Sequence, residues 1–230
     1  MEHRFMRTEL ILGADNLRRL RDATVAVVGL GGVGGHAAEA LARSGVGRLI
    51  LIDHDVVAVS NLNRQVVALE STLGRPKVDV MAERIAQINP DCQVLTHQAF
   101  YSRESHNHLL QEAPHFVADA IDSVGAKADL IEACLSHGIP IISSLGAGNR
   151  LDPTRLRITD ISQTHTCALA RAVRLALRKR GIERGVPVVF SDEKVAVIKR
   201  GSTPGSTAFV PGAAGLIMAS WIVRQICGED

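Results

Sequence analysis

Gly29-Leu30-Gly31-Gly32-Val33-Gly34 follows directly on the β-branched run Thr24-Val25-Ala26-Val27-Val28. A G-x-G-x-x-G turn between a strand and a helix lets backbone approach phosphate oxygens. The helix N-terminus adds N–H donors and a partial positive charge. Asp53 lies nineteen residues past Gly34, at the end of a second apolar run. A carboxylate there can accept from ribose hydroxyls. So far the residues specify a nucleotide and nothing finer, and an ordinary NAD-binding Rossmann module fits them.

The next stretch asks for different chemistry. Asp53-His54-Asp55 leads into Ser60-Asn61-Leu62-Asn63-Arg64-Gln65 and then Gly74-Arg75-Pro76-Lys77. A hydride-transfer site has no need of Arg64 and Lys77 near its nucleotide. An enzyme whose substrate attacks the α-phosphate of ATP and expels pyrophosphate does, because these cations neutralise charge building on the phosphates. Asp122 stands just past the strand through Phe116 to Ala118, at the carboxyl edge of the sheet. Mg²⁺ is held by one or two carboxylates plus phosphate oxygens, and Asp122 is placed to be such a ligand.

The elements that must carry these residues alternate. Strands are expected at 24–28, 49–52, 93–96, 115–118 and 139–143, and helices at 32–44, 76–88, 104–112 and 127–137. Strand, helix, strand in about thirty residues is a βαβ unit with a right-handed crossover. Up to about Ser144 this reads as a doubly wound, mostly parallel, Rossmann-like α/β sheet. After that the rhythm changes. Strands are expected at 155–159 and 195–198, an extended stretch at 186–190, and helices at 168–179 and 211–226. No composition break marks a boundary, so the chain is read as one domain. Residues 1–148 form its nucleotide-binding half, and 149–230 an elaborated, partly antiparallel substrate and dimer half.

Of the 230 residues, 46% are hydrophobic and 3% aromatic, so Val, Ile, Leu and Ala carry a large core, as buried parallel strands require. A net charge of +2 announces no polyanion partner, so any nucleic-acid surface must be a local patch. Cys92, Cys134, Cys167 and Cys227 include no C-x-x-C pair, which argues against a disulfide framework and against zinc. The first ten residues lack the apolar core of a signal peptide, and a reduced, cytoplasmic protein is expected. Residues 201–223 carry no charge, but their apolar part is broken by Pro211, Gly212 and Gly215. A core or dimer-interface helix is expected there, without stable membrane association.

The set Asp53-x-Asp55, Ser60 to Gln65, Lys77 and Asp122 resembles the adenylation site of the ThiF, MoeB and HesA superfamily, the relatives of ubiquitin-activating enzymes. Arg4-Phe5-Met6-Arg7 is similar to that superfamily's Arg-aromatic-x-Arg start. The resemblance implies a homodimer in which Arg7 reaches the nucleotide of the neighbouring subunit. It implies an ATP site drawing on Gly29, Gly31, Gly32, Gly34, Asp53, Asp55, Asn61, Arg64, Gln65, Lys77 and Asp122, with ATP and Mg²⁺ as cofactors. Within the superfamily, Leu151-Asp152-Pro153-Thr154, Thr159-Asp160-Ile161-Ser162, Leu169-Ala170-Arg171 and Val189-Phe190-Ser191-Asp192-Glu193 resemble the tRNA threonylcarbamoyladenosine dehydratase subfamily, as does Phe209-Val210-Pro211 leading into Ala214-Gly215. That implies adenylation of a threonylcarbamoyl carboxylate beside the anticodon, then cyclisation with loss of AMP. A tRNA is the implied partner, and cysteine-desulfurase or sulfur-acceptor proteins come into view as others. Some members carry a longer insert between the Ser191-x-Glu193 motif and the last helix. The alternative branch adenylates the C-terminus of a ubiquitin-like sulfur carrier, and the missing Cys pairs argue against it.

Plainer readings compete at several positions. Cys167 is read as a packed thiol rather than a thioester-forming one, since the substrate supplies its own internal nucleophile. His106, His108 and His115 have no trustworthy ligand spacing. Arg171, Arg174 and Arg178 recur at helical spacing, with Lys179 and Arg180 after them. Such a run is a solvated face or a grip on the tRNA backbone.

Overall fold

Strand β1 (Thr24–Val28) is buried along its whole length, as its unbroken β-branched sequence requires for a strand covered on both faces. The computed structural model describes residues 2–103, 109, 111–194 and 204–229. Among these, β2 (Arg48–Ile52), β3 (Gln93–His97), β4 (Phe116–Asp119), β5 (Ile141–Ser144), β6 (Leu156–Asp160) and β7 (Pro187–Ser191) join β1 in one sheet of order β3-β2-β1-β4-β5-β7-β6. Pairings are parallel from β3 through β7, and β6 runs antiparallel to β7. The expected architecture is the observed one. The strand expected at 195–198 and most of the helix expected at 104–112 fall outside the described residues.

The helices α3 (Gly34–Ser44), α4 (Lys77–Ile88), α5 (Val124–Ser136), α6 (Ala168–Arg178) and α7 (Phe209–Cys227) lie where the sequence places them, within a few residues at each end. The sequence reading missed α1 (Met6–Leu12) and α2 (Ala14–Asp22). α1 buries nothing within this chain and α2 buries only Leu17 and Leu20, too thin a stripe to show as a period.

By length and composition α7 could cross a membrane, but half of its apolar window is buried inside the fold. It packs on α3, and a Cβ built at Gly215 would lie 2.3 Å from the Val33 carbonyl oxygen. Only glycine permits that crossing. Trp221 meets Phe116 edge-on at 6.4 Å, tying the same helix to the sheet. α7 is a core helix.

Candidate active site

In this strand order the chain leaves β1 towards β2 on one side and reaches β4 on the other, so the connections diverge between β1 and β4. Open α/β sheets bind ligands in the crevice at that switch point. A cleft of about 800 Å³ opens there. Gly29, Gly31 and Gly32 border it from the turn after β1, and Asp122 borders it from the turn after β4. The two turns interlock. Gly29 has φ +90°, and a Cβ on it would sit 2.8 Å from the Ala120 carbonyl oxygen. Gly34 does not border the cleft. A Cβ there would strike the Gly29 oxygen at 1.7 Å, so this glycine closes the turn onto α3.

Asp53 and Asp55 reach the cleft from the end of β2, but their oxygens are partly engaged by the protein. Asp53 Oδ2 accepts from the Leu30 N–H at 2.5 Å, and its Oδ1 accepts from the Asp55 N–H at 2.8 Å. The Asp53 carboxylate therefore holds the glycine turn in shape. Lys77, the first residue of α4, is 4% exposed and donates from Nζ to Asp55 Oδ2 at 2.7 Å. Burial opposes ionisation of Asp55, yet the hydrogen bond and charge of Lys77 outweigh it and hold the carboxyl below its ordinary value.

Asn61 folds the segment between them. Its Oδ1 accepts from the Ala58 N–H at 3.0 Å, and its carbonyl accepts from the Arg64 and Gln65 N–H groups. Arg64 and Gln65 are thereby delivered to the cleft. Arg64 is half-buried, and its Nη1 donates to the Ser60 carbonyl and to Asn63 Oδ1. Gln65 is buried with its Oε1 unpartnered. An orphaned acceptor beside a glycine turn is what a nucleotide with donor groups would satisfy. The residues present fit ATP.

A metal is less simply placed. Asp53, His54 and Asp55 bring three ligand atoms within 4.8 Å of one another. Lys77 already occupies Asp55 Oδ2 and N–H donors occupy Asp53, so this trio is a poor cation cage. Asp122 is exposed and has no such competitor among the described residues.

A buried group that the sequence reading passed over supports Asp122. Asp119, Lys127 and Ser143 are fully enclosed. Lys127 Nζ donates to Asp119 Oδ2 at 2.8 Å and to Ser143 Oγ at 3.0 Å, and Ser143 Oγ donates to Asp119 Oδ2 at 2.6 Å. The other oxygen, Oδ1, accepts from the Ile121 N–H at 3.0 Å, which fixes the turn leading to Asp122. The signal was a lysine among Ala126, Ala128, Leu130 and Ile131, where a helix face should have been apolar.

Other sequence expectations find plain roles. His115 Nδ1 accepts from the Thr24 N–H at 2.9 Å, and His106 and His108 lie outside the described residues. Cys167 caps α6, its Sγ accepting from the Ala170 N–H at 3.4 Å. Burial pushes the Cys92 thiol up to about 11 and the Cys134 thiol, helped by Asp119, up to about 12. Both are inert packing thiols.

A model of the ThiF family matches residues 3–230. The chain belongs to the ThiF family. It is 48% identical over 242 residues to the Bacillus subtilis tRNA threonylcarbamoyladenosine dehydratase, covering 98% of this chain and 95% of that one. Crystal structures of the Escherichia coli tRNA N6-threonylcarbamoyladenosine dehydratase superimpose along the same length. The complex with AMP gives a TM-score of 0.94 and the complex with ATP 0.92, each at 38% identity and covering 98% of this chain and 94% of that one. The full-length agreement includes the elaborated half, where ThiF-family branches part.

The Lys77–Asp55 pair sets a pH test. The folded Asp55 carboxyl titrates below its unfolded value, so its contribution is complete above about pH 4 and is lost as pH falls further. The stability difference between wild type and Asp55→Asn, read as denaturant midpoints, should be constant from about pH 7 to 5 and shrink below about pH 4. A constant difference down to about pH 3 would mean that Lys77 does not depress Asp55.

Proposed function

We propose that this chain is an ATP-dependent tRNA threonylcarbamoyladenosine dehydratase. The observation that carries the reading is full-length likeness to enzymes of that name, extending past the nucleotide half. A threonylcarbamoyl carboxylate oxygen attacks the α-phosphorus of ATP, and the bond to the bridging oxygen breaks as pyrophosphate leaves. An internal nucleophile of the same substituent then attacks the activated acyl carbon, a ring closes, and AMP departs. Lys77 and Arg64 offset the charge gathering on the phosphates. Asp122 would hold Mg²⁺, which supplies further positive charge at the phosphates.

Mass spectrometry of tRNA nucleosides after incubation with ATP tests this. A nucleoside lighter by one water should appear with wild-type protein. Asp122→Ala should lower its formation by about 100-fold or more while the melting curve stays intact. Absence of the lighter nucleoside sinks the function, and an active Asp122→Ala enzyme sinks the Mg²⁺ assignment. Pyrophosphate exchange that depends on a carrier protein would move the chain to the sulfur-carrier branch.

The working unit in this reading is a homodimer. Arg4 Nη1 donates to the Ile88 carbonyl at 2.9 Å and Phe5 is buried, which ties the N-terminus down. Arg7, by contrast, is exposed and does not border its own cleft. On the same helix Leu10 and Ile11 are 80% and 83% exposed, an apolar surface suited to a second copy. Arg7 then completes the partner's site. In a heterodimer of Arg7→Ala and Asp122→Ala protomers one site is whole, so activity should return to about half that of wild type on the shared-site logic. Inactive confirmed heterodimers would show that sites are not shared.

The same reading gives the basic helix α6 to the tRNA backbone, over a narrower set than the sequence suggested. Arg174 Nη1 donates to the Thr164 carbonyl at 2.9 Å, and Arg180 pairs with Asp129 at 2.8 Å and Glu132 at 3.0 Å. Arg171, Arg178 and Lys179 stay exposed. A salt titration of tRNA affinity should lose a slope of roughly 0.7 to 0.9 per contact when these three become alanine. ATP affinity should hold. An unchanged slope would leave α6 as a solvated face.

A further inference from the structure

Among the described residues, Arg150 is the largest charged side chain shut inside this protein. It is 2% exposed, yet it borders the cleft that holds the glycine turn. Its Nη2 donates to the Thr166 carbonyl at 3.2 Å, while Nε and Nη1 have no partner among the described residues. A guanidinium cannot shed its proton to escape burial. An enclosed charge with two idle donors is costly unless something arrives to meet it.

The surroundings hold it ready and do not neutralise it. Asn149 adopts φ 58° and is clamped to Gly205, N–H to carbonyl at 2.7 Å and Oδ1 from N–H at 2.6 Å. On the other side the Glu193 carboxylate accepts from the Leu151 and Asp152 N–H groups. The nearby acid is thus spent on backbone donors, and the loop is fixed on both flanks of Arg150.

Orphaned groups of both kinds face this cleft. Gln65 Oε1, beside the glycine turn, lacks a donor, and Arg150 Nε and Nη1 lack acceptors; the Tyr101 hydroxyl is a third unpartnered group. A nucleotide meets the first need. We propose that the second is met by the substrate's carboxylate: Arg150 receives the carboxylate that is to be adenylated and selects for its presence. This rests on the functional reading above. A planar carboxylate matches the guanidinium fork, and it must lie in this cleft to reach ATP. The carboxylate loses its charge when it bonds to phosphorus, so the contact belongs to the ground state. It should appear in KM more than in kcat.

The test compares tRNA bearing threonylcarbamoyladenosine with the same tRNA bearing plain adenosine, both bound without ATP. Wild type should prefer the modified tRNA, and Arg150→Gln should lose about 10- to 100-fold of that preference. Affinity for the unmodified tRNA and KM for ATP should stay within about twofold, and KM for modified tRNA should rise more than kcat falls. Arg150→Lys, which keeps the charge but not the fork, should fall between and serves if the glutamine variant fails to fold. A variant that keeps the preference overturns the proposal. Equal weakening for both tRNAs also overturns it, since that marks a backbone phosphate or a merely structural arginine. Wild-type conversion of the modified tRNA with ATP is measured alongside. If it fails, the functional reading falls and takes this proposal with it; if it succeeds, the preference alone judges Arg150.

Discussion

The closeness of two turns governs this site. The backbone after β1 passes so near the backbone after β4 that a Cβ at Gly29 would lie 2.8 Å from the Ala120 oxygen. That approach puts the glycine turn and the turn bearing Asp122 on the two lips of one crevice. Parallel pairing of β1 with β4 sets the spacing, and the left-handed φ of Gly29 lets the chain turn away within it. The Asp53 carboxylate then holds the turn from below through the Leu30 N–H. A residue expected to meet ribose hydroxyls is therefore also a structural clamp, with acceptor capacity left over for a ligand.

The charges are arranged in depth. The Asp119–Lys127–Ser143 group is fully dry, and such a group adds little net stability compared with an apolar replacement. What it supplies is position. It spends one carboxylate oxygen on the Ile121 N–H and so fixes the turn that carries Asp122. Nearer the surface, Lys77 is buried against a half-exposed Asp55. The enclosed cation borders the cleft at a place set by its carboxylate partner.

The alternating first half was legible because buried parallel strands read as β-branched runs and helices as 3.6-residue periods. Type and spacing also picked out a set of residues that the fold brings to one cleft, with Gly34 and Arg7 outside its lining. Other features stayed hidden, and three of them show the physical reasons. α1 buries no residue of its own chain, so it leaves no stripe. The sheet inserts β7 between β5 and β6, an order that no local pattern encodes. Arg180 sits in a basic run, yet its partners are Asp129 and Glu132 on another helix. Tertiary partners decide whether a charge is free, and periodicity along one helix cannot see them.

Arg64 and Lys77 show why two cations at one site need not behave alike. Lys77 is enclosed and paired with the half-exposed Asp55 carboxylate, so moving it would break that pair. Arg64 is half-buried, and its exposed bonds go to a neighbouring carbonyl and an amide oxygen in its own turn. Surface hydrogen bonds of this kind exchange with water at little net cost. The guanidinium can therefore leave them for a phosphate oxygen without disturbing Asn61, whose carbonyl holds the turn through backbone N–H groups alone. In the proposed function the enclosed ammonium would define where the phosphates lie, and the guanidinium, held only by exchangeable bonds, would follow the charge that develops on them as pyrophosphate departs.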